Sequence, residues 1–156
     1  MEQTAETTSV EREIAIAASP ETVWEFFVDE EKAARWMGQV VTLDPRPGGV
    51  YRVEVIPGHT ASGSFVELDP PRRLVYTWGW EPGAGGENAV PPGTSTIEIE
   101  LVPVGEGTTV RFVHRDLPNA EAAKSHAHGW DHYLERLGTA AAGGDPGTDP
   151  WLSGAM

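Results

Sequence analysis

The sequence predicts an α+β domain in which a curved, seven-stranded antiparallel sheet wraps around a long C-terminal helix. The main observation is the order of hydrophobic periods: a strand, two short helical segments, a run of strands and one long helical stripe. Few strands are separated by enough residues for a crossover helix, so neighbouring strands should pair antiparallel. A straight helix does not match the shape of an arched sheet, which favours a cavity between the two.

The N-terminal region combines a strand with a helix start. Residues 10–17 alternate with a period of two, which predicts a strand, and residues 1–9 are expected to be disordered. Ser19 is a suitable helix cap because Pro and Glu follow it at the positions that favour a first turn. A second short helix is expected over about residues 30–36.

The middle of the chain is a succession of strands. The Asp-Pro-Pro run at 69–71 predicts a hairpin connection, since two prolines do not fit a central strand. The Gly- and Pro-rich residues 81–93 predict a mobile loop. The inward face of 63–68 stays open, because Phe65 with Glu67 and the alternate set around Val66 fit equally well. Strands are predicted at residues 50–56, 63–68, 74–80, 96–102 and 109–115.

The C-terminal region predicts one long helix and a tail. Asn119 is the expected cap, and Gly138 is the expected end. Residues 10–138 therefore form the predicted domain, and the Gly/Pro-rich residues 139–156 are expected to form a flexible tail. Within this tail, Trp151 and Leu152 could dock on the domain. The helical stripe consists of Ala123, Ala127, Trp130, Leu134 and Leu137, at spacings of four and three.

Composition excludes several classes of function. The chain has 156 residues and a formal net charge of −13, so a nucleic-acid backbone would be repelled. There is no cysteine, which excludes disulfides and thiolate metal sites. The sequence carries no nucleotide-binding glycine motif, and we expect no cofactor. No signal peptide and no membrane-spanning run is readable, so we expect a cytoplasmic protein.

Several segments match one family in order, and the Asp-Pro-Pro hairpin together with the Gly-Trp pair on the last helix is the most specific combination. On these residues the chain resembles the START-like helix-grip (SRPBCC) superfamily, and within it the activator of Hsp90 ATPase homologue branch. The matching residues and segments are Ala18–Trp24, Arg35–Gly38, Pro47–Tyr51, Gly63, Glu67, Asp69–Leu74, Thr77-Trp78, His114 and Gly129–Leu137.

The resemblance implies a helix-grip fold more firmly than a function, because this superfamily contains lipid and hormone binders, cyclases, hydrolases and a co-chaperone. We expect binding of a small hydrophobic or amphipathic molecule, lipids included, in an internal cavity of roughly 300–1,000 Å³. Two alternatives remain open. One is a hydrolase, cyclase or isomerase that uses the same cavity, although we favour a binding protein over an enzyme. The other is a co-chaperone-like interaction module.

The co-chaperone alternative has one candidate surface, the acidic N-terminal third of the chain. The family's co-chaperone carries a further N-terminal domain, whereas only nine residues, most of them polar, precede the first predicted strand here. We therefore expect no stimulation of the chaperone ATPase. As an assembly, we expect a monomer or a homodimer.

The candidate site residues are mainly aromatic side chains on alternating strand positions. If the protein is an enzyme, His114 and Glu67 are the candidate catalytic groups; otherwise His114 is a core histidine bonded to a tyrosine or a backbone carbonyl. His128 and His132 have the spacing of a two-histidine metal site, with His126 nearby, but we expect exposed histidines and no metal. The predicted ligand-binding residues are Trp36, Tyr51, Phe65, Tyr76, Trp78, Phe112, His114 and Trp130.

Overall fold

The computed structural model describes residues 8–82 and 90–153 and has the predicted α+β architecture. The predicted disordered start, mobile loop and tail lie partly outside the described residues. The strands are β1 (Val10–Ile16), β2 (Val40–Leu43), β3 (Val50–Ile56), β4 (His59–Asp69), β5 (Arg73–Trp78), β6 (Ser95–Val104) and β7 (Gly107–Arg115). The α-helices are α1 (Pro20–Val28), α2 (Glu30–Ala33) and α3 (Ala120–Ala141), and Pro150–Ser153 forms a 3-10 helix.

Within the described residues the seven strands form one sheet in the order β1-β7-β6-β5-β4-β3-β2. Every neighbouring pair is antiparallel, as predicted. From β2 to β7, each strand lies beside the one that follows it in the chain, as antiparallel connections allow, and β1 completes the sheet by pairing with the last strand, β7. The strand β2 is only four residues long and is not singled out by the sequence pattern.

A bulge in β4 settles the register that the sequence leaves open. Phe65 pairs with Tyr76, but Glu67 pairs with the very next residue of β5, Val75, so β4 contains one extra residue here. Phe65 is consequently buried at 1% exposure, whereas Val66 is 52% exposed. Glu67 turns to the outer face of the sheet, where its carboxylate lies 3.2 Å from Arg73.

The entry into α1 follows the predicted capping pattern. The Ser19 side chain accepts a hydrogen bond from the Thr22 amide at 3.3 Å, and Pro20 begins the helix. Asp29 in turn caps α2 by accepting from the Lys32 amide at 3.0 Å. Both caps satisfy amides that have no partner inside the helix.

The long helix α3 begins at the predicted cap, since Asn119 Oδ1 accepts from the Ala122 amide at 2.8 Å. Most of the predicted stripe is buried, with Trp130 at 3% exposure and Leu137 at 0%. The helix runs through Gly138 to Ala141, three residues beyond the predicted end. Among the helices in the described residues, none combines the length and the hydropathy needed to cross a membrane.

The segment after α3 lies on the helix. Arg136 donates hydrogen bonds to the carbonyls of Pro146 and Gly147 at 3.3 and 3.0 Å. Asp149 is 4% exposed and accepts from His132 Nε2 at 2.8 Å. The following 3-10 helix then places Trp151 parallel to the His132 ring, with 3.7 Å between the ring centres.

Candidate functional site

A cavity of about 290 Å³ lies between one end of the sheet and α3. The sheet contributes Val55 and Ile56 from β3 and Trp78 from the end of β5. Trp80 follows directly after β5 and lines the same space. The sheet side of the cavity is therefore apolar, with two large aromatic rings set edge to face at 5.4 Å.

The helix side of the cavity is formed by consecutive turns of α3. Trp130 and Tyr133 are buried there, whereas Ser125 and His128 are exposed and lie at the opening. Gly129 also lines the cavity, and a Cβ atom at this position would meet no atom within 4 Å. The glycine therefore leaves open a volume that any larger side chain would occupy.

Three further side chains complete the lining from other parts of the chain. Met37 lies after α2, His59 begins β4, and Trp151 belongs to the C-terminal 3-10 helix. Trp151 is held by its stacking on His132 and by the backbone bond from its amide to Asp149 Oδ1 at 3.0 Å. The C-terminal segment is thus part of the cavity wall.

Beneath Trp130 lies a buried chain of hydrogen bonds centred on His114. Trp130 Nε1 donates to His114 Nδ1 at 3.0 Å, and His114 Nε2 lies 2.8 Å from Ser95 Oγ. The Ser95 hydroxyl gives its only hydrogen to the Trp78 carbonyl at 2.7 Å, so it accepts from His114 Nε2. His114 is therefore a neutral imidazole with both nitrogens engaged.

Burial also keeps His114 neutral. Burial, together with a smaller contribution from the neighbouring His126, lowers the pKa of His114 to about 3. A group that stays neutral and fully enclosed is poorly placed to exchange protons with a ligand at neutral pH. His114 is thus a buried, hydrogen-bonded histidine, but its partners are an indole and a serine where a tyrosine or a backbone carbonyl was expected.

A second indole–histidine pair lies at the cavity wall itself. Trp80 Nε1 donates to His126 Nε2 at 3.0 Å, and His126 Nδ1 is 2.8 Å from the Ala122 carbonyl. The carbonyl can only accept, so His126 carries its proton on Nδ1. Burial lowers the pKa of His126, which is neutral like His114.

The predicted ligand-binding residues divide into two groups. Trp78 and Trp130 line the cavity. The others are buried in the core beside it, where a residual void next to Trp36 and Tyr51 measures only about 10 Å³. Tyr51 and Tyr76 fill this region by stacking at 4.2 Å. The buried group consists of Trp36, Tyr51, Phe65, Tyr76, Phe112 and His114.

The candidate catalytic groups do not meet at the cavity. His114 lies behind Trp130, and Glu67 lies on the outer face of the sheet because of the β4 bulge. The suggested histidine pair on α3 is also divided, since His132 bonds to Asp149 while His128 lies at the opening. In the described part of the chain, no group of three or more His, Asp or Glu side chains could hold a metal ion.

Sequence reasoning missed several residues that line the cavity. Trp80 shares the alternating pattern of Trp78, which is a signal that could have found it. His126 and Gly129 lie within one turn of Trp130 and could have been added from helix geometry. Trp151 is a large apolar residue that could be expected to dock on the domain, but its place at the cavity depends on how the C-terminal segment folds back.

Comparison with known proteins identifies the family to which this chain belongs. The family model described as activator of Hsp90 ATPase homolog 1-like protein matches residues 17–142. The chain belongs to this family. The match includes α1, the whole sheet except β1, and all of α3, so the family assignment covers both walls of the cavity. No curated protein sequence matches the chain.

Solved structures of other proteins share the fold of this family member. The solution structure of the AHSA1-like protein from Rhizobium etli is 46% identical, with a TM-score of 0.72, and the match covers 92% of this chain and 87% of that one.

Two further structures are more distant and show likeness of fold. An HSP90 activator from Plasmodium falciparum is 21% identical with a TM-score of 0.67, covering 83% of this chain and 93% of that one. The Aha1 dimer from Colwellia psychrerythraea is 20% identical with a TM-score of 0.72, covering 87% and 97%.

Proposed function

We propose that this protein binds a small hydrophobic or amphipathic molecule in the cavity between its sheet and α3. The observation that carries the proposal is the cavity of about 290 Å³, which is lined by four tryptophans: Trp78, Trp80, Trp130 and Trp151. This volume lies just below the roughly 300–1,000 Å³ that is typical of ligand sites, so the ligand is small. Flat aromatic walls favour a flat, apolar or aromatic compound.

Electrostatics support a neutral ligand. Among the described residues that line the cavity, none is Asp, Glu, Lys or Arg. His126 is neutral because burial lowers its pKa. A charged ligand would lose hydration without gaining an opposite charge, which is unfavourable in a buried site.

The placement of the candidate catalytic groups favours binding over the enzyme alternative. His114 has both nitrogens engaged, and Glu67 is paired with Arg73 on the opposite face of the sheet. The co-chaperone alternative draws on the family's name and on likeness of fold to the Plasmodium activator and the Colwellia Aha1 dimer. A cytoplasmic location and a monomeric or homodimeric state stay predictions.

The proposal is tested by filling the cavity from the helix side. The probe is N-phenyl-1-naphthylamine, a neutral aromatic dye whose fluorescence rises in apolar surroundings. The wild-type protein should bind it saturably at one site. Gly129→Leu should weaken that binding by about tenfold or more, because the new side chain occupies the ligand's volume.

Gly138→Leu is the matched control. Gly138 lies on the same helix, and a Cβ atom there also meets no atom within 4 Å, but Gly138 does not line the cavity. Both substitutions remove a helical glycine, so neither should lower the melting temperature. Absence of saturable dye binding, or equal dye affinity in Gly129→Leu and the wild type, would contradict the proposed function.

A further inference from the structure

The C-terminal segment, residues 143–153, places one aromatic ring at the opening of the cavity. Trp151 stacks on His128, which lies at this opening, with 5.3 Å between the ring centres. Its ring also stacks on His132 at 3.7 Å and meets Tyr133 edge to face at 5.5 Å. Trp151 therefore borders the opening, and its position is set by three side chains of α3.

Hydrogen bonds from side chains of α3 hold this segment in place. Arg136 donates to the carbonyls of Pro146 and Gly147, and His132 donates to Asp149. These bonds and the stacking of Trp151 are contacts between side chains on a helix and a connecting segment, so they can break and form again while the helix stays folded.

The backbone of the segment is bonded locally. The amides of Gly143 and Gly144 donate to carbonyls in the last turns of α3, and the Leu152 amide donates to the Asp149 carbonyl. Gly143 has a φ of 95° and Gly147 a φ of 76°, values that glycine adopts without strain and that turn the chain sharply. Lifting the segment from α3 therefore leaves the pairing of the sheet intact.

Two buried polar atoms make the position of the segment on α3 less favourable. The Tyr133 hydroxyl and Asp149 Oδ2 have no hydrogen-bond partner among the described residues. Burial and, after it, the neighbouring Asp149 carboxylate raise the pKa of Tyr133, yet no hydrogen bond joins the two groups. Polar atoms that are buried without a partner cost free energy, and water would reach both atoms if the segment lifted. This cost favours a segment that opens at times.

We propose that the C-terminal segment is the gate of the cavity: it lifts from α3 to let a ligand enter or leave, and Trp151 closes over the ligand when it returns. This inference rests on the proposed function and adds the route by which the ligand exchanges. Trp151 is the moving part of the wall, because it lines the cavity and belongs to the segment. The bond between Asp149 and His132 holds the gate closed, since it joins the segment to α3 two residues before Trp151.

The test measures by stopped-flow fluorescence how fast N-phenyl-1-naphthylamine enters and leaves the cavity. Asp149→Ala removes the acceptor of the His132 bond, so the open segment becomes more populated. Both the association and the dissociation rate constants should rise by about fivefold or more, as the loss of one hydrogen bond predicts. A fixed wall would give another result, because loss of ligand contacts speeds dissociation and leaves association unchanged. That result, or unchanged rates in both directions, would overturn the gate.

Asp145→Ala is the matched control. Asp145 belongs to the same segment, but its carboxylate accepts from the Gly147 amide and not from α3. Both rate constants should therefore keep their wild-type values. An equal rise in the two variants would overturn the assignment of the closing contact to Asp149 and His132.

A second readout uses the wild-type protein and does not depend on the variants folding. Amides of residues 144–153 should exchange hydrogen faster than those around Trp130 in α3, and saturating dye should slow them, because the closed segment retains the ligand. Exchange in the segment that is as slow as around Trp130 without dye would overturn the gate, while binding in the cavity stands. If the dye does not bind, the proposed function itself fails, and the inference fails with it.

Discussion

At the scale of single residues, His114 shows how a core position can be mistaken for a reactive one. Its alternation on β7 predicts an inward side chain, and the structure places it inward at 0% exposure. The sequence cannot reveal that Trp130 and Ser95 occupy both ring nitrogens, because these partners come from distant parts of the chain. The same burial makes His114 a measurable contributor to stability.

His114 should make the protein less stable in mild acid. Its folded-state pKa is lowered to about 3, whereas an unfolded chain takes up the proton near pH 6.5. The unfolded state therefore binds more protons between these values, and the free energy of unfolding falls as the pH drops through this window. From pH 7 to about 5 the loss from this residue is about 2 kcal/mol.

Urea unfolding at both pH values measures this loss in the wild type and in His114→Gln. The variant should be less stable at pH 7 but should lose less on acidification. His126 contributes in the same direction, because burial lowers its pKa as well, and its contribution is common to both proteins. Identical pH dependence in the two proteins would show that His114 takes up its proton as readily in the fold as in the unfolded chain, which would contradict the prediction.

At the scale of elements, the C-terminal segment is the clearest departure from the expected flexible tail. Asp149 accepts from His132 on α3 and from the amide of Trp151, so one carboxylate oxygen joins the segment to the helix. Asp149→Ala should release the segment and lower the free energy of unfolding by about 1–2 kcal/mol. Amide hydrogen exchange over residues 144–153 should become faster.

Asp145→Ala is the control for this prediction. Asp145 is exposed, and within the described part of the chain its side chain accepts only from the Gly147 amide of the same segment, at 2.8 Å. Its removal should leave exchange near Trp151 unchanged. Equal exchange rates in Asp149→Ala and the wild type would mean that Asp149 does not hold the segment on α3.

Some features of the helices and strands could be predicted from the sequence, and others could not. The caps at Ser19 and Asn119 and the buried stripe of α3 were predictable, because they depend on near neighbours in the chain. The β4 bulge was not predictable from the sequence, because the bulged strand has the composition of any other strand. The extra residue reverses which side chains point inward after Phe65. The position of the cavity was missed for a related reason. Alternation predicts which side chains point inward, but it does not predict where the helix and the sheet separate.

At the scale of the whole molecule, the charge of −13 acts against the compact state. The outer face of the sheet offsets part of it with cross-strand ion pairs, such as Arg111 with Glu13 at 3.1 Å and Arg115 with Glu98 at 2.6 Å. These groups are partly exposed, and such pairs contribute little to stability. Repulsion between the unbalanced negative charges should therefore determine how the melting temperature changes with salt.

The melting temperature should rise when sodium chloride is increased from about 20 mM to about 0.5 M, because salt screens the repulsion between like charges. Differential scanning calorimetry at pH 7.5 measures it. Potassium chloride should act in the same way, since the effect depends on ionic strength. A lower melting temperature at high salt would mean that the ion pairs outweigh the net repulsion.

The two edge strands of the sheet determine whether copies of this protein can associate by strand pairing. An unpaired edge strand can add a strand from a second molecule, and this is a common start of aggregation. Here one edge is β2, with four residues, and the other is β1, which carries Glu11, Arg12 and Glu13 in succession. Short and charged edges both resist such pairing. The protein should therefore stay dispersed at high concentration, and a homodimer, if it forms, should use a surface other than the sheet edges.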